Sequence, residues 1–170
     1  ILAVRADIDA SCFVWPPEPT HTQSGPQEWD TSSSVFERPP ESILIEFKER
    51  LVKKFNVSKE VAEDRIKQLR WGSPILKDDP CNVHMEHSAE MQLLFKNTPL
   101  LGDRTESGRQ LACHKNYSGH LDVYGRIYPH LPSNTITTGC NNPSKGRFVH
   151  PWLHHGITLR HAARLQTFPD

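Results

Sequence analysis

The sequence predicts an α+β protein, with helices in residues 42–97 and a small twisted β region after residue 117. Three observations predict this class. Apolar residues recur at helical spacing after Ser42, a second amphipathic stripe follows a serine cap, and the later part changes to short β-like runs interrupted by glycine and proline.

Two amphipathic helices are predicted in the middle of the chain. Residues 42–55 carry apolar side chains at a strict four-residue interval with charged residues between them, which is the pattern of a helix packed on one face. Ser58 is a good N-cap for a second helix, which Trp71-Gly72 should end. The two stripes are Ile43, Phe47, Leu51 and Phe55, and then Val61, Ala62, Arg65, Ile66 and Leu69.

A third helix is predicted over residues 84–97, with Met91, Leu94 and Phe95 facing a core. The β-like runs after it are residues 121–124, 126–128 and 135–138. Residues 16–40 are rich in proline, serine, threonine, glutamine and glutamate, a composition typical of a linker or of a loop over a surface.

Composition narrows the class of protein. No apolar run approaches the roughly 18 residues of a membrane span, so we expect a soluble protein. Four scattered cysteines are too few for a disulfide scaffold, which favours a reduced, intracellular protein. Residues 1–106 carry 13 Lys and Arg against 18 Asp and Glu, whereas residues 107–170 carry 7 against 2. Such a basic last third predicts a surface that faces phosphates.

The last thirteen residues have the pattern of a capped amphipathic helix. Thr158 is a good N-cap, and Phe168-Pro169 stops the run. Arg160 and Arg164 are four residues apart and therefore share one face. Helical spacing is carried by Leu159, Ala162, Ala163, Leu165 and Gln166.

This segment, T-x-R-x-A-A-R-L-Q-T-F-P-D, resembles the block that follows the target-recognition domain in DNA cytosine-5 methyltransferases. Eleven of its thirteen positions agree with that block. His161 departs from it, because the family usually has Glu there. A Glu would complete a capping box with Thr158, so we expect the helix start to be weaker by some tenths up to about 1 kcal/mol.

A second resemblance to these enzymes lies in residues 119–138, where Gly125-Arg126 is followed about ten residues later by Thr135-Ile136. The continuation over residues 144–151 resembles a subset of the family. The resemblance implies that Arg126 contacts DNA at or near the target base and that Thr135 contacts the adjacent phosphate. An Arg fork can read guanine. The other residues assigned to DNA are Ile136, Thr137, Lys145 and Arg147.

The resemblance also implies a domain plan. Residues 1–15, which open with the apolar run Ile1–Val4, would be a strand at the end of a Rossmann-like α/β catalytic domain. Residues 16–156 would form the target-recognition domain, with 16–40 as a linker. Residues 157–170 would be the helix that returns to the catalytic domain, to which it is anchored by Thr158, Arg160, Arg164 and Gln166.

The catalytic parts of such an enzyme are absent from this sequence. There is no Phe-x-Gly-x-Gly turn, no Gly-Phe-Pro-Cys-Gln loop and no Glu-Asn-Val. Pro80-Cys81 lacks the right neighbours, so no catalytic residue is expected here. The chain is therefore predicted to be a piece of a longer enzyme of a restriction–modification system or phage, cytoplasmic and monomeric. That enzyme would use S-adenosylmethionine to methylate a cytosine flipped out of double-stranded DNA.

An alternative from another class is a zinc-stapled nucleic-acid-binding module. Cys81, His84 and His87, with Cys113-His114 downstream, are ligand types that zinc accepts. A second set would be His150, His154 and His155. The spacing matches no standard zinc finger, and adjacent ligands at 113 and 114 are difficult to close around a tetrahedral ion. Stoichiometric zinc in the purified protein would favour this alternative.

We predict that the 170-residue chain transfers no methyl groups by itself, because its sequence contains neither the nucleophile loop nor the cofactor turn. The measurement is transfer of a radiolabelled methyl group from S-adenosylmethionine to duplex DNA. Turnover above the background of a heat-denatured sample would contradict the prediction.

Overall fold

The predicted helices account for most of the regular structure. The computed structural model describes residues 29–108, 111–114 and 119–170, together with the single residues 5, 7, 9, 11 and 21. Within these residues the helices are α1 (Glu41–Phe55), α2 (Lys59–Gln68), α3 (Ala89–Asn97) and α4 (Leu159–Leu165). Short 3-10 helices occupy Ser32–Val35, Ala112–His114 and Pro143–Lys145. No helix in the described parts is long and apolar enough to cross a membrane.

Helices α1 and α2, each of which the sequence predicts, pack against each other. Asn56 ends α1 in the left-handed conformation (φ 52°), and the Ser58 side chain caps α2 by accepting from the Val61 backbone N–H. Helix α2 ends at Gln68, three residues before the predicted Trp71-Gly72 stop. The residues buried between this pair and its neighbours are Phe47, Leu51, Ala62, Leu100 and Leu101.

Helix α3 is shorter than predicted. It begins after Ser88, whose hydroxyl accepts from the Met91 N–H, and residues 84–87 lie outside it. The predicted apolar face is confirmed, since Leu94 and Phe95 are buried and Met91 packs beside them. The sequence alone did not distinguish this serine cap from a continuous helical run that starts at His84.

The predicted twisted β region is not found. Among the described residues, pairing of the β type is limited to two isolated bridges: Arg126 with Val149, parallel, and Val149 with Gly156, antiparallel. Residues 119–158 otherwise form turns, bends, irregular stretches and the short 3-10 helix Pro143–Lys145. Four prolines, at 129, 132, 143 and 151, remove backbone donors from this segment, and proline is excluded from the interior of a sheet for that reason.

Part of the predicted linker belongs to the core. The 3-10 helix Ser32–Val35 pairs with the later segment, because Ser32 and Ser33 donate their N–H groups to the carbonyls of Leu131 and Pro129. Phe36 is fully buried, in a cluster with Ile127, Cys140, Phe148, Ile157 and Ala162. The predicted strand at residues 1–4 and most of residues 12–28 lie outside the described residues.

Helix α4 starts as predicted but is capped by an additional contact. The Thr158 hydroxyl accepts from the His161 N–H at 3.2 Å, and His161 Nδ1 accepts from the Thr158 N–H at 3.2 Å. A capping box is therefore complete with histidine in the place of Glu, so the expected weakening of the helix start is wrong. Because Nδ1 accepts a hydrogen bond, it carries no proton, and the imidazole ring is therefore neutral.

The surroundings of His161 keep its imidazole ring neutral. Its ring is 6 % exposed, and it packs on Phe36 with the ring centroids 4.8 Å apart. Burial, and then the charge of Arg164, lower the pKa of His161 to about 4. The neutral form is therefore part of the native packing.

We predict that the protein loses stability as the pH falls from about 6.5 towards 4. In this range the unfolded chain protonates His161, whereas the folded chain, with a pKa of about 4, does not. Each such histidine costs about 1.4 kcal/mol per pH unit. His161→Gln keeps a cap acceptor without a titrating group, so its free energy of unfolding should fall less steeply in urea denaturation between pH 7 and 4.5.

The matched control is Ser88→Ala. It removes the side-chain cap of α3 and no titrating group, so it should lower the free energy of unfolding by a similar amount at every pH and leave the slope against pH that of the natural protein. Equal slopes for His161→Gln and the natural protein would contradict the role given to His161.

Candidate nucleic-acid interface

The residues that the sequence assigns to DNA divide into an exposed set and a buried set. Thr135, Thr137 and Lys145 are exposed, and Ile136 is half-buried. Arg126 and Arg147 are 2 % and 7 % exposed. The exposed set lies in one irregular segment, residues 132–145, which we call the 132–145 loop.

The 132–145 loop is polar and free of negative charge. No acidic residue occurs between Asp122 and Asp170. Its exposed positions are Pro132, Asn134, Thr135, Thr137, Thr138, Gly139 and Lys145. Hydroxyl, amide and ammonium groups of this kind are the usual donors to phosphate oxygens.

Both ends of the loop are held by the core. At the start, the Leu131 carbonyl accepts from the Ser32 N–H at 2.8 Å and from its hydroxyl at 3.0 Å. At the end, the Pro143 carbonyl accepts from the Tyr124 N–H at 2.9 Å, and the Asn142 side chain caps the 3-10 helix Pro143–Lys145. The exposed residues therefore lie on a loop whose two ends are fixed.

The middle of the loop is also attached. Ile136 packs against the cluster around Phe36, and Cys140, which belongs to that cluster, donates its N–H to the Thr137 carbonyl at 3.1 Å. Burial raises the pKa of the Cys140 thiol, which makes this cysteine a packing residue. Since Ile136 points to the core, the flanking threonines are left exposed.

Arg126 is the most enclosed polar side chain of the region. Its Nε donates to the Thr98 carbonyl at 2.8 Å and its Nη2 to the Phe95 carbonyl at 2.7 Å. Its Nη1 donates to the carbonyls of His150 at 2.8 Å and Leu153 at 2.6 Å. A fifth contact joins Nη2 and His154 Nδ1 at 3.2 Å.

These contacts give Arg126 a structural role. Phe95 lies in the last turn of α3 and Thr98 is its C-cap residue, and the carbonyls at this end carry the negative end of the helix dipole. Burial lowers the pKa of the Arg126 guanidinium to about 10, so it stays charged at neutral pH. Every guanidinium nitrogen has a partner inside the described chain, so the predicted contact between Arg126 and a base would need these hydrogen bonds to break, and it stays a prediction.

Arg147 is enclosed in the same way. Its Nη1 donates to the carbonyls of Gly102 at 3.0 Å and Arg126 at 3.1 Å, and its guanidinium carbon lies 4.2 Å from the centre of the Tyr128 ring. A Cβ at Gly125 would stand 2.8 Å from that guanidinium, so glycine is required there. The predicted phosphate contact of Arg147 would need this packing to open.

The two arginines of α4 are paired within the described chain. Arg160 forms a double hydrogen bond with Asp79, at 2.6 and 3.2 Å, and this hydrogen bonding holds the pKa of Asp79 below its usual range. Arg164 pairs with Asp170 and donates to the Ser73 carbonyl at 2.8 Å. Gln166 donates to the Ala162 carbonyl in its own helix.

In the described structure, α4 is anchored to other segments of this same chain. Its contacts join the helix to residues 73–83 and 35 of this chain. Anchoring to a separate catalytic domain stays a prediction.

The described part of the basic last third is less basic at its surface than its composition predicts. Arg126 and Arg147 are buried, and Arg160 and Arg164 are paired with carboxylates. Among the described Lys and Arg residues from 119 onwards, Lys145 is the exposed one. Within residues 119–170, the inference of a phosphate-facing surface from charge counting therefore applies to the 132–145 loop.

The alternative zinc sites do not form in the described chain. No group of three or more His, Cys, Asp or Glu side chains there is arranged to hold a metal ion. The His84 and His155 rings stack with centroids 4.1 Å apart, and His87 Nε2 instead accepts from the Gly156 N–H. The Cys113 side chain lies outside the described residues.

Sequence reasoning missed a cleft beside the 132–145 loop. It opens between the end of α2 and residues 130–132, has a volume of about 620 Å³, and is lined by Trp29, Thr31, Arg65, Gln68, Arg70 and His130, among others. Arg65 was the sequence feature that could have indicated this cleft, because it interrupts an otherwise apolar stripe. It is exposed in the structure.

Comparison with known proteins gives a class: over part of its length, this chain is related to type II methyltransferases. It is 41 % identical over 98 residues to the type II methyltransferase M1.BsuMI of Bacillus subtilis (strain 168), a match that covers 55 % of this chain and 22 % of that protein. It is 51 % identical over 59 residues to the type II methylase M.HgiDII of Herpetosiphon aurantiacus, covering 34 % and 17 %.

The matched region spans about a fifth of the length of these relatives. No protein-family model and no solved structure matches the chain.

We predict that Arg126→Met destabilises the protein by about 3 kcal/mol or more, since it leaves several buried carbonyls without a donor, each worth about 1–3 kcal/mol. Arg126→Lys should be nearly as damaging, because one ammonium cannot replace a fork that reaches Phe95, Thr98, His150 and Leu153. Urea denaturation measures the loss.

Lys145→Met is the control for loss of positive charge, and it should change the free energy of unfolding by less than about 0.5 kcal/mol because Lys145 is exposed. A stable, folded Arg126→Met protein with altered DNA sequence preference would instead restore the predicted base contact.

Proposed function

We propose that this chain is the target-recognition part of a DNA cytosine-5 methyltransferase and that its 132–145 loop contacts duplex DNA. The observation that carries the proposal is the relationship to type II methyltransferases, which extends over 55 % of the chain. The C-terminal resemblance to cytosine-5 enzymes supplies the finer assignment of the methylated atom.

The loop supports a DNA contact by its chemistry and its rigidity. Thr135, Thr137 and Lys145 present donors in a segment without acidic side chains, and the core fixes both ends of that segment. Contacts of this type position a protein on the DNA backbone, whereas base-edge contacts supply sequence specificity. In this proposal the loop therefore sets the register of the protein on the duplex.

Catalysis is assigned to the remainder of a longer protein. That part would bind S-adenosylmethionine and attack a flipped cytosine, and its junctions with this chain would lie near residues 1–15 and 157–170. Helix α4 is bound to residues 73–83 by the Arg160–Asp79 pair, so a partner domain at this end would meet a preformed surface.

We predict that Lys145→Ala weakens binding of the 170-residue chain to duplex DNA by a similar factor on every sequence. Loss of one phosphate contact should reduce the slope of log affinity against log salt concentration by about 1. Fluorescence anisotropy with two unrelated labelled duplexes, at several salt concentrations, measures both effects.

Lys77→Ala is the matched control, because Lys77 is an exposed lysine outside the loop and its loss should change neither quantity. An unchanged salt slope for Lys145→Ala, or an equal effect of Lys77→Ala, would place the DNA contact elsewhere on the protein.

A further inference from the structure

Among the described residues, one arginine makes no polar contact with the rest of the described chain. Every other arginine that the structure describes donates a hydrogen bond to another described residue, as Arg126, Arg147 and Arg160 do. Arg65 is exposed and forms no hydrogen bond or ion pair with a described residue. Its guanidinium, a planar fork of N–H donors, is therefore available to a partner.

Helix α2 holds Arg65 in a defined position. The Ser58 side chain caps the start of this helix, and Ala62 is fully buried where α2 packs on α1. Gln68, three residues after Arg65, is also exposed and forms no side-chain hydrogen bond with a described residue. Residues three positions apart are neighbours on a helix surface. The last turn of α2 therefore presents two adjacent side chains, each of which can form a pair of hydrogen bonds with a partner.

This end of α2 lies beside the 132–145 loop. Arg65 and Gln68 line the same cleft as Leu131 and Pro132, and Pro132 is the first residue of the loop. The loop offers hydroxyl and ammonium donors to backbone phosphates, so a duplex lying on it would present a groove to the neighbouring element. The major groove is wide enough to admit an α-helix. The last turn of α2 is therefore placed where it can reach base edges.

The charges on α2 favour an approach by the same end. The acidic residues of this helix all precede Arg65: they are Glu60, Glu63 and Asp64. After the helix, Arg70 is exposed, and its ion pair neutralises the Asp30 carboxylate. Because phosphates repel carboxylates, DNA would meet α2 at its last turn, away from its acidic start.

We propose that Arg65 determines part of the DNA sequence specificity, by donating two hydrogen bonds from its guanidinium to O6 and N7 of a paired guanine in the major groove. Gln68 contacts a neighbouring base pair. This role rests on the proposed function, since it takes the duplex to lie on the 132–145 loop. It places base readout on α2, at a guanidinium that breaks no hydrogen bond of the described chain when it binds DNA.

The experiment begins with a pool of duplexes that contain a stretch of randomised base pairs. The 170-residue chain selects from this pool, the bound fraction is sequenced, and fluorescence anisotropy then compares the preferred duplex with one in which a single G·C pair is exchanged. At the position that Arg65 reads, the exchange should weaken binding of the natural protein about tenfold. Arg65→Ala should remove this preference, mainly by weakening binding to the preferred duplex. Because Arg65 is exposed and without hydrogen bonds in the described chain, this substitution should leave the fold intact.

Lys67→Ala is the matched control, because Lys67 lies on the same helix, loses the same charge and does not line the cleft. Its tenfold preference should persist. Lys145→Ala should weaken binding to both duplexes alike and also keep the preference, as expected for a phosphate contact.

The outcomes separate this role from the proposed function. If Arg65→Ala weakens binding to both duplexes equally, Arg65 contacts a phosphate, and the role given to it is wrong. The role is equally wrong if Arg65→Ala keeps the tenfold preference, or if the natural protein binds all duplexes with the same affinity. In each of these cases the chain still binds duplex DNA, so the proposed function stands. Absence of binding to every duplex overturns the proposed function and the role of Arg65 together.

Discussion

The buried guanidinium of Arg126 is the interaction on which the described structure most depends. It joins the end of α3 to the 150–154 segment by four hydrogen bonds to carbonyl oxygens, and its own backbone bridges to Val149. Burying a charge is costly unless polar groups replace water, and the carbonyls at a helix end do so with their partial negative charge. This side chain is therefore one of the main connections in a region with almost no regular β structure.

Other buried polar side chains also form hydrogen bonds with backbone groups of distant or neighbouring residues. Arg147 is bound to the carbonyls of Gly102 and Arg126, and His150 Nδ1 accepts from the N–H groups of Trp152 and Leu153. Burial holds the pKa of His150 well below its ordinary value, so the ring remains a neutral acceptor. In segments made of turns, side chains supply the hydrogen bonds that sheets supply elsewhere.

This use of charge inside the protein changes where a DNA surface can lie. Four of the five described Lys and Arg side chains from residue 119 onwards are buried or paired, and the fifth, Lys145, is exposed on the 132–145 loop. Over part of its length the chain is similar to type II methyltransferases, and the geometry shows which of its described polar residues are exposed.

The sequence by itself determined α1, α2 and the start of α4, because helical periodicity and serine or threonine caps act between residues three or four positions apart. Only the tertiary structure decided that Arg126 is buried and that the predicted β-like runs between residues 121 and 138 are a turn, an isolated bridge and irregular backbone. Arg126 finds its carbonyl acceptors 24 to 31 residues away, and His161 owes its neutral state partly to Phe36. The surroundings of these two side chains are formed by segments that are distant in sequence, so local sequence patterns do not predict them.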